Sequence, residues 1–179
     1  FYKTEQTRLT IPSKDAGGEV LGLFIDDLGK VITGAIVGDI KQSIESIFSQ
    51  TYENWELIFW DNNSNDKSVE IFKKYNDPRL KFFSSTNHMV LYEARNNAIQ
   101  KCRGEFLTFL DTDDYWLPNK LQEQIKLFDN EKIGLVYSNY WVVNERLLSK
   151  RKIFSKKKLP TGKVLDELLL NYSVGILTV

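Results

Sequence analysis

A short apolar run that stops at three carboxylates is the feature that most constrains the fold of this chain. Phe106–Leu110 shows no alternation of polar and apolar residues, which predicts a strand buried on both faces. In open α/β sheets, ligands bind at the carboxyl ends of such strands. Asp111, Asp113 and Asp114 follow at that end. The sequence therefore predicts a small anionic cluster at the ligand-binding edge of a sheet.

The spacing of these acids favours a hard divalent cation. Asp111 and Asp113 are two residues apart, so in extended backbone their side chains lie on the same side. Carboxylate oxygens suit Mg²⁺ or Mn²⁺, and an ion placed there would bridge a diphosphate. The alternative is an acidic turn that only solvates the strand end and caps the next helix, because a bare Asp-x-Asp triplet is common.

Other strands and helices alternate along the chain. Trp55–Trp60 is a second buried strand that runs into an acid, Asp61, and Leu80–Phe83 is a third short strand. Apolar residues at helical spacing separate the strands: Ile40, Ile44, Ile47 and Phe48; Val69, Phe72 and Tyr75; Leu91, Ala94, Ala98, Ile99 and Cys102; Leu117, Leu121, Ile125 and Phe128. Asp39 is a plausible N-cap of the first helix. This alternation predicts an α/β fold with a mainly parallel sheet flanked by helices.

The two ends of the chain are less regular. Residues 19–37 are interpreted as strand, turn and strand, with Val20–Ile25 and Lys30–Val37 on either side of a turn at Asp26–Gly29. Ile133–Tyr137 with Tyr140–Val143 predicts one or two more strands. Towards the end, a helix with Val164, Leu165, Leu168 and Tyr172 on one side is expected before an apolar terminus.

Bulk composition excludes some function classes. Lys plus Arg and Asp plus Glu each total 24, so the zero net charge gives no case for a nucleic-acid partner. The single cysteine excludes an internal disulfide, and no apolar run is long enough for a transmembrane helix. We expect a cytoplasmic protein. The basic cluster Lys150–Lys158 is expected to be a solvated loop, with peripheral contact to an anionic membrane surface, at its inner face, as the functional alternative.

Three motifs in register resemble a known family. They are SIESIFSQTYENWELIFWDNNSND (Ser43–Asp66), YEARNNA (Tyr92–Ala98) and GEFLTFLDTDD (Gly104–Asp114). Their order and spacing over residues 39–143 resemble the inverting family 2 glycosyltransferases, which have the GT-A fold. Two stretches compete for that family's first strand, Leu9–Asp15 and Val31–Val37.

The resemblance implies roles for the residues that bind the nucleotide. Asp61 matches the acid that binds the nucleobase, and Arg95 matches the arginine that helps to hold the nucleotide. Asp111 matches the first acid of the Asp-x-Asp motif, which lies near the ribose. Pro12 falls in the stretch that resembles the family's first strand and is expected to contact the nucleotide.

The resemblance also implies a metal and a reaction. Asp113 matches the acid that holds Mg²⁺ or Mn²⁺ on the diphosphate, and Asp114 is expected to orient the donor sugar. The implied reaction moves a sugar with inversion from a UDP-, GDP- or dTDP-sugar to a hydroxyl of a saccharide or lipid-linked acceptor, in surface polysaccharide or glycolipid synthesis. The catalytic base is not identified and is expected beyond the end of the chain.

These matches imply a division of the chain. Residues 1–38 are an irregular segment with the first strand or strands, and residues 39–149 are the nucleotide-sugar-binding core. Residues 150–179 begin an acceptor-side region that we expect to be truncated.

Two other functions stay open at this point. A truncated or non-catalytic nucleotide-binding domain would carry the same motifs without the base. A phosphatase of the haloacid dehalogenase type would use Asp111 as nucleophile. Such phosphatases usually carry threonine or valine where this chain has Tyr115, and they give no role to Asp61 or Arg95.

Several residues also have ordinary structural interpretations. Asp61 fits an Asx-rich turn that leads to a helix, and Arg95 fits a solvated or ion-paired arginine. His88 is expected at the surface and Cys102 in the core. Trp116 is expected in the core or in a pocket wall, with stacking on a sugar as the alternative.

Overall fold

The structure, a computed structural model, describes only part of the chain. The described residues are 2–5, 20–26, 37–129, 132–143, 151–153 and 159–164, together with 166, 170 and 179. The chain divides into two compact units. One is Thr10–Gln122, and the other combines Phe1–Leu9 with Glu123–Val179.

The larger unit contains the expected parallel sheet. Its strands are β2 (Val20–Asp26), β3 (Trp55–Asp61), β4 (Leu80–Ser84) and β5 (Phe106–Asp111), in the order β4-β3-β2-β5. All three pairings are parallel. The helices that alternate with them are α1 (Val37–Phe48), α2 (Ser68–Phe72), α3 (Leu91–Ile99) and α4 (Lys120–Ile125). The prediction of an α/β fold with a parallel sheet is confirmed.

The register brings the strand ends to one level. Asp61 pairs with Asp26 of β2 on one side and with Ser84 of β4 on the other. Asp111 pairs with Ile25 of β2. Because the strands are parallel, their carboxyl ends share one edge of the sheet, as the sequence predicted for the acids after β3 and β5.

The strand predicted at Val20–Ile25 is present as β2. It lies between β3 and β5 and is parallel to both, a pairing that the sequence left open. Residues 9–15 and 31–36 lie outside the described residues, whereas Val37 begins α1. Asp39 consequently lies inside α1 and is not its N-cap. A short apolar run leaves strand pairing open, and only tertiary contacts decide it.

The two strands that end in an aspartate, β3 and β5, differ in burial. All seven residues of β3 are buried, as expected for a central strand. In β5 only Thr108 and Leu110 are buried, so the prediction of burial on both faces is wrong for this strand. The reason is position, because β5 is the last strand in the order of this sheet. Leu107 and Phe109 still pack, half-buried, against the core.

Aromatic rings fill the space between the sheet and α2. Phe59 of β3 is fully buried and stacks on Phe72 of α2, with ring centroids 4.5 Å apart. The Phe82 ring of β4 lies 5.9 Å from Phe59 on the same side. On the opposite side, Ile58 and Trp60 join the cluster that includes Ala94 and Ala98 of α3. Helices therefore pack on both faces of β3.

An ion pair lies near the amino ends of the strands. The buried Glu56 accepts from Lys81 Nζ at 2.5 Å and from the Arg103 backbone nitrogen at 2.6 Å. Cys102 is half-buried beside this pair. Burial, with the Glu56 charge as a smaller cause, raises the pKa of Cys102 to about 12. The packing role predicted for Cys102 fits this environment.

The smaller unit contains two antiparallel pairs. β1 (Tyr2–Glu5) pairs with β6 (Ile133–Tyr137), and β7 (Trp141–Val143) pairs with β8 (Arg151–Ile153). β8 corrects the expectation of a loop through the whole of Lys150–Lys158, because its backbone completes a ladder with β7. Residues 150 and 154–158 lie outside the described part. Asp166 and Leu170 are helical, within the helix expected there.

We expect the Phe59 ring to contribute strongly to the free energy of unfolding of the larger unit. We expect Phe59→Ala to lower the free energy of unfolding by about 3–5 kcal/mol, because it removes a buried ring and leaves a cavity between two other rings. Urea denaturation measures this. Tyr92→Ala is the control, since its side chain is 65% exposed, and it should change stability by about 0.5 kcal/mol or less. Equal effects of the two substitutions would contradict the packing described.

Candidate functional site

The three acids after β5 form a tight turn. The Asp114 backbone nitrogen donates to the Asp111 carbonyl at 3.0 Å, which places Thr112 and Asp113 at the centre of the turn. Thr112 is buried, whereas Asp113 is exposed. The argument that Asp111 and Asp113 share a side in extended backbone therefore does not hold, because the strand ends at Asp111. The turn instead presents Asp113 to solvent.

Arg95 and Asp111, both predicted to bind the nucleotide, lie together. Arg95 is on α3, and its Nη2 donates to Asp111 Oδ1 at 3.1 Å. Both side chains are partly exposed. Within the described part of the chain, Arg95 Nε is a buried nitrogen without a hydrogen-bond acceptor. The Arg95 side chain as a whole is 22% exposed, and the planar set of donors of a guanidinium suits an anionic ligand.

Asp61 is held in place by the turn that follows it. Its side chain is 7% exposed, and Oδ1 accepts from the Ser64 backbone nitrogen at 3.0 Å. Asn63 between them has a φ of 64°, in the left-handed region that asparagine tolerates. The Asx turn considered for Asp61 is therefore present. It fixes one carboxylate oxygen, Oδ1.

Asn62 is a site residue that the sequence did not single out. It is buried, and its side chain binds the Met89 backbone twice, donating to the carbonyl at 2.8 Å and accepting from the nitrogen at 3.0 Å. Met89 lies just before α3, which carries Arg95. His88 in the same loop is exposed, as predicted.

Repulsion between the carboxylates shows in the pKa of Asp114. Burial of this half-buried group, then the charges of Asp113 and Asp111, raise its pKa to about 6. A cation beside the turn would relieve that repulsion.

The carboxylates of the acidic turn fit a divalent ion that is bound partly by the protein and partly by the phosphates of a ligand. Among the described residues, no three His, Cys, Asp or Glu side chains are grouped to hold a metal by themselves. Mg²⁺ is typically bound through one or two carboxylates plus substrate phosphates, and does not need a cage made by the protein. An exposed Asp113 within an anionic turn meets that requirement.

A buried lysine, Lys120, contacts both β5 and Trp116, which lies shortly after the acidic turn. Lys120 Nζ donates to Thr108 Oγ1 at 3.2 Å and lies 4.3 Å from the centre of the Trp116 ring. Burial lowers the pKa of Lys120 to about 7. Trp116 is itself 4% exposed, so the core interpretation fits it and stacking on a sugar does not. Lys120 was overlooked because lysine is usually a surface residue.

The segment after the turn is anchored to the end of α1. Gln50 Nε2 donates to the Leu117 carbonyl at 2.8 Å, and its Oε1 accepts from the Leu121 nitrogen at 3.1 Å. The Thr51 backbone nitrogen donates to the Pro118 carbonyl at 2.8 Å. Pro12, the remaining predicted contact of the nucleotide, lies outside the described residues.

Comparison with known proteins identifies the family. Residues 38–177 match the sequence model described as "Glycosyl transferase family 2", which is most of the chain. The chain belongs to glycosyl transferase family 2. The resemblance found in the three motifs is thereby confirmed, and the phosphatase alternative is disfavoured.

Curated relatives of this family 2 chain include enzymes with assigned reactions. The chain is 35% identical over 140 residues to the UDP-Glc:alpha-D-GlcNAc-diphosphoundecaprenol beta-1,3-glucosyltransferase WfgD of Escherichia coli, covering 78% of this chain and 53% of the relative. It is 26% identical to the putative teichuronic acid biosynthesis glycosyltransferase TuaG of Bacillus subtilis, covering 78% and 55%. The chain thus spans about half the length of these relatives.

Solved structures support the fold. The mannosyltransferase PcManGT from Pyrobaculum calidifontis, in complex with GDP-Man and Mn²⁺, has a TM-score of 0.53 at 17% identity, covering 71% of this chain and 37% of that one. S. aureus TarS 1-349 has a TM-score of 0.52 at 23% identity, covering 59% and 30%. The expected GT-A fold is confirmed. None of the helices in the described ranges has the length and apolar character needed to span a bilayer.

The buried Lys120 should make stability depend on pH. Its folded pKa of about 7 lies below the ordinary 10.5, so between these values the unfolded state binds more protons and stability rises with pH. We expect the free energy of unfolding to increase from pH 7 to pH 9, by at most about 1.4 kcal/mol per pH unit. Lys120→Met, which fills similar space without a charge, should flatten this rise in urea denaturation. Parallel curves for the two proteins would contradict the shift.

Proposed function

We propose that this chain contains the donor-binding part of a metal-assisted glycosyltransferase. The enzyme would transfer a sugar, with inversion, from a nucleotide-diphosphate sugar to an acceptor hydroxyl. Membership of family 2 supports the reaction class. The proposed setting is the assembly of a surface polysaccharide or glycolipid, which the names of the relatives WfgD and TuaG support.

The observation that carries this proposal is the meeting of acids at one sheet edge. Asp61 ends β3 and Asp111 ends β5, and both pair in register with the end of β2. Arg95 reaches the same edge through its bond to Asp111. A carboxylate thus lies on each side of β2, and the guanidinium of Arg95 lies at the same edge. Carboxylates accept hydrogen bonds from N–H donors and a guanidinium binds phosphates, so this edge suits a ligand that presents both groups.

Each residue has a proposed role in holding the donor. Asp61, fixed by Ser64, would accept from an N–H of the nucleobase, and Arg95 with Asp111 would bind the ribose and diphosphate side. Asp114 would orient the donor sugar. Its raised pKa of about 6 lies close to neutral pH. A bound cation would lower this pKa again and so favour the ionised carboxylate.

Asp113 would hold the Mg²⁺ or Mn²⁺ together with the donor diphosphate. When bound, such an ion stabilises the negative charge that develops on the leaving diphosphate. The exposed position of Asp113 leaves it accessible to an ion brought by the nucleotide. No residue of the described part is assigned as the base that takes the acceptor proton.

The acceptor is proposed to be a saccharide or a lipid-linked saccharide. WfgD is named for an acceptor carried on diphosphoundecaprenol, which supports the lipid-linked class. An acceptor of that kind would bring the enzyme to the inner face of the membrane, and the basic residues of 150–158 would suit contact with anionic lipid.

Calorimetric titration tests the proposed function directly. UDP, GDP and dTDP are each titrated into the full chain with Mn²⁺ and again with EDTA. We expect one nucleotide to bind in a metal-dependent manner, which would also identify the nucleobase. Failure of all three to bind would overturn the proposal. Turnover of the bound nucleotide sugar then distinguishes a transferase from a nucleotide-binding domain without activity.

Asp113→Ala should remove the metal-dependent part of nucleotide binding. The affinity with Mn²⁺ should fall at least about tenfold towards the value in EDTA, because the ion loses its protein carboxylate. Thermal unfolding should change little, since Asp113 is exposed. Glu53→Ala is the matched control, an exposed carboxylate just before β3, and should bind as the unsubstituted chain does. Unchanged metal dependence in Asp113→Ala would exclude the role of Asp113.

Asp61→Asn should weaken nucleotide binding in a different way. The amide keeps an oxygen for the Ser64 nitrogen but replaces a carboxylate acceptor with a donor, so the contact with a nucleobase N–H is lost. We expect a loss of about 1.5–3 kcal/mol, equal with Mn²⁺ and with EDTA. Calorimetry in both buffers measures this. A loss confined to the Mn²⁺ titration would contradict the assignment of Asp61 to the nucleobase.

A further inference from the structure

The buried side of α1 carries polar residues where apolar ones would be expected. Ser43 and Ser46 on α1, and Gln50 just after its end, are all buried, at a spacing that places them along one side. Burying hydroxyl and amide groups costs stability unless each finds a hydrogen-bond partner. The partners therefore show what this side of α1 does.

Ser43 binds the backbone on both sides of Asp113. Its hydroxyl donates to the Thr112 carbonyl at 2.8 Å and also contacts the carbonyl oxygen of Asp114. These carbonyls belong to the residues immediately before and after Asp113. A single side chain from α1 thus fixes the two ends of the short segment that carries the exposed carboxylate.

The other two buried polar residues, Ser46 on α1 and Gln50 just after it, bind farther along the chain. The Ser46 hydroxyl accepts from the Trp116 backbone nitrogen at 3.1 Å and donates to the Ser43 carbonyl at 2.7 Å. Gln50 binds the backbone of Leu117. Ser43 differs from Ser46 and Gln50 in the residues that it contacts. The described contacts of its hydroxyl are with the acidic turn, whereas those of Ser46 and Gln50 are with residues outside the turn.

We propose that Ser43 is a positioning residue for the metal-binding carboxylate Asp113. This inference rests on the proposed function, in which Asp113 holds a divalent ion with the nucleotide. Asp113 is exposed, so packing of its own side chain cannot set its direction, and its backbone must do so. Carboxylate repulsion within the turn opposes a fixed arrangement, and the hydroxyl of Ser43, hydrogen-bonded to one flanking carbonyl and in contact with the other, counteracts it. Groups that orient a metal ligand in this way commonly contribute about 10–100-fold in metal affinity.

The test measures how strongly Mn²⁺ improves nucleotide binding. UDP, or GDP or dTDP if one of these is the nucleotide bound, is titrated into the full chain with Mn²⁺ and with EDTA, and the ratio of the two affinities is taken. We expect Ser43→Ala to lower this ratio about tenfold or more while leaving the affinity in EDTA unchanged. Ser49→Ala is the control, immediately after the end of α1. Ser49 is exposed, its hydroxyl donates to the Ser46 carbonyl at 2.9 Å, and the ratio should not change.

Ser46→Ala separates positioning from simple stabilisation. It removes an equally buried hydroxyl from the same side of α1, but one whose partners are Trp116 and Ser43. Thermal unfolding should show comparable losses for Ser43→Ala and Ser46→Ala. The Mn²⁺ ratio should fall only for Ser43→Ala. Ratios that fall together in both variants would show a structural role and overturn the inference.

The outcomes also separate this inference from the proposed function. Metal-dependent binding by the unsubstituted chain with an unchanged ratio in Ser43→Ala would overturn the role of Ser43 alone. Absence of metal-dependent binding in the unsubstituted chain would overturn both. Ser43→Cys keeps a side chain of similar shape with a weak donor, so it gives the answer if Ser43→Ala does not fold. We expect the ratio to fall in Ser43→Cys as well, and an unchanged ratio there would equally overturn the inference.

Discussion

The parallel pairing of β2 with both β3 and β5 is the constraint on which the rest of this structure depends. It sets the level at which each strand ends, and so it brings Asp61 and Asp111, distant in sequence, to one edge. Register in such a sheet is specified residue by residue, because a slip by one position turns every side chain to the opposite face. The two faces of β3 meet different partners, since Phe59 stacks on Phe72 of α2 and Trp60 packs in the cluster with α3, so a slip would lose both sets of contacts. The geometry of the site is therefore a consequence of core packing.

The acidic turn needs support from outside itself. Asp111, Asp113 and Asp114 repel one another, and this repulsion adds to burial in raising the pKa of Asp114. One backbone bond closes the turn, and the hydroxyl of Ser43 adds contacts from α1. The arrangement combines a rigid backbone with an exposed carboxylate. This combination suits a site that must hold an ion only when a nucleotide brings it.

Much of the fold could be predicted because its signals are local. The apolar run of β3, the helical spacing in α3 and the acids after β3 and β5 each depend on a few adjacent residues. The errors fall where a residue's role depends on distant partners. The sequence leaves the pairing of β2 open because periodicity says nothing about which strands pair, and it wrongly predicts full burial of β5 because the edge position of that strand is a property of the whole sheet.

The sequence by itself determined the alternation of strands and helices from β3 to β5, the position of the acids at strand ends and the family resemblance of residues 39–143. These follow from patterns that each element carries within itself. Only the tertiary structure decided that β2 is central, that Arg95 binds Asp111, and that Ser43 contacts the carbonyls around Asp113. It also decided that Lys120 is buried against Trp116. The physical reason is that hydrogen bonds and burial are set by distance in space, which a linear sequence does not contain.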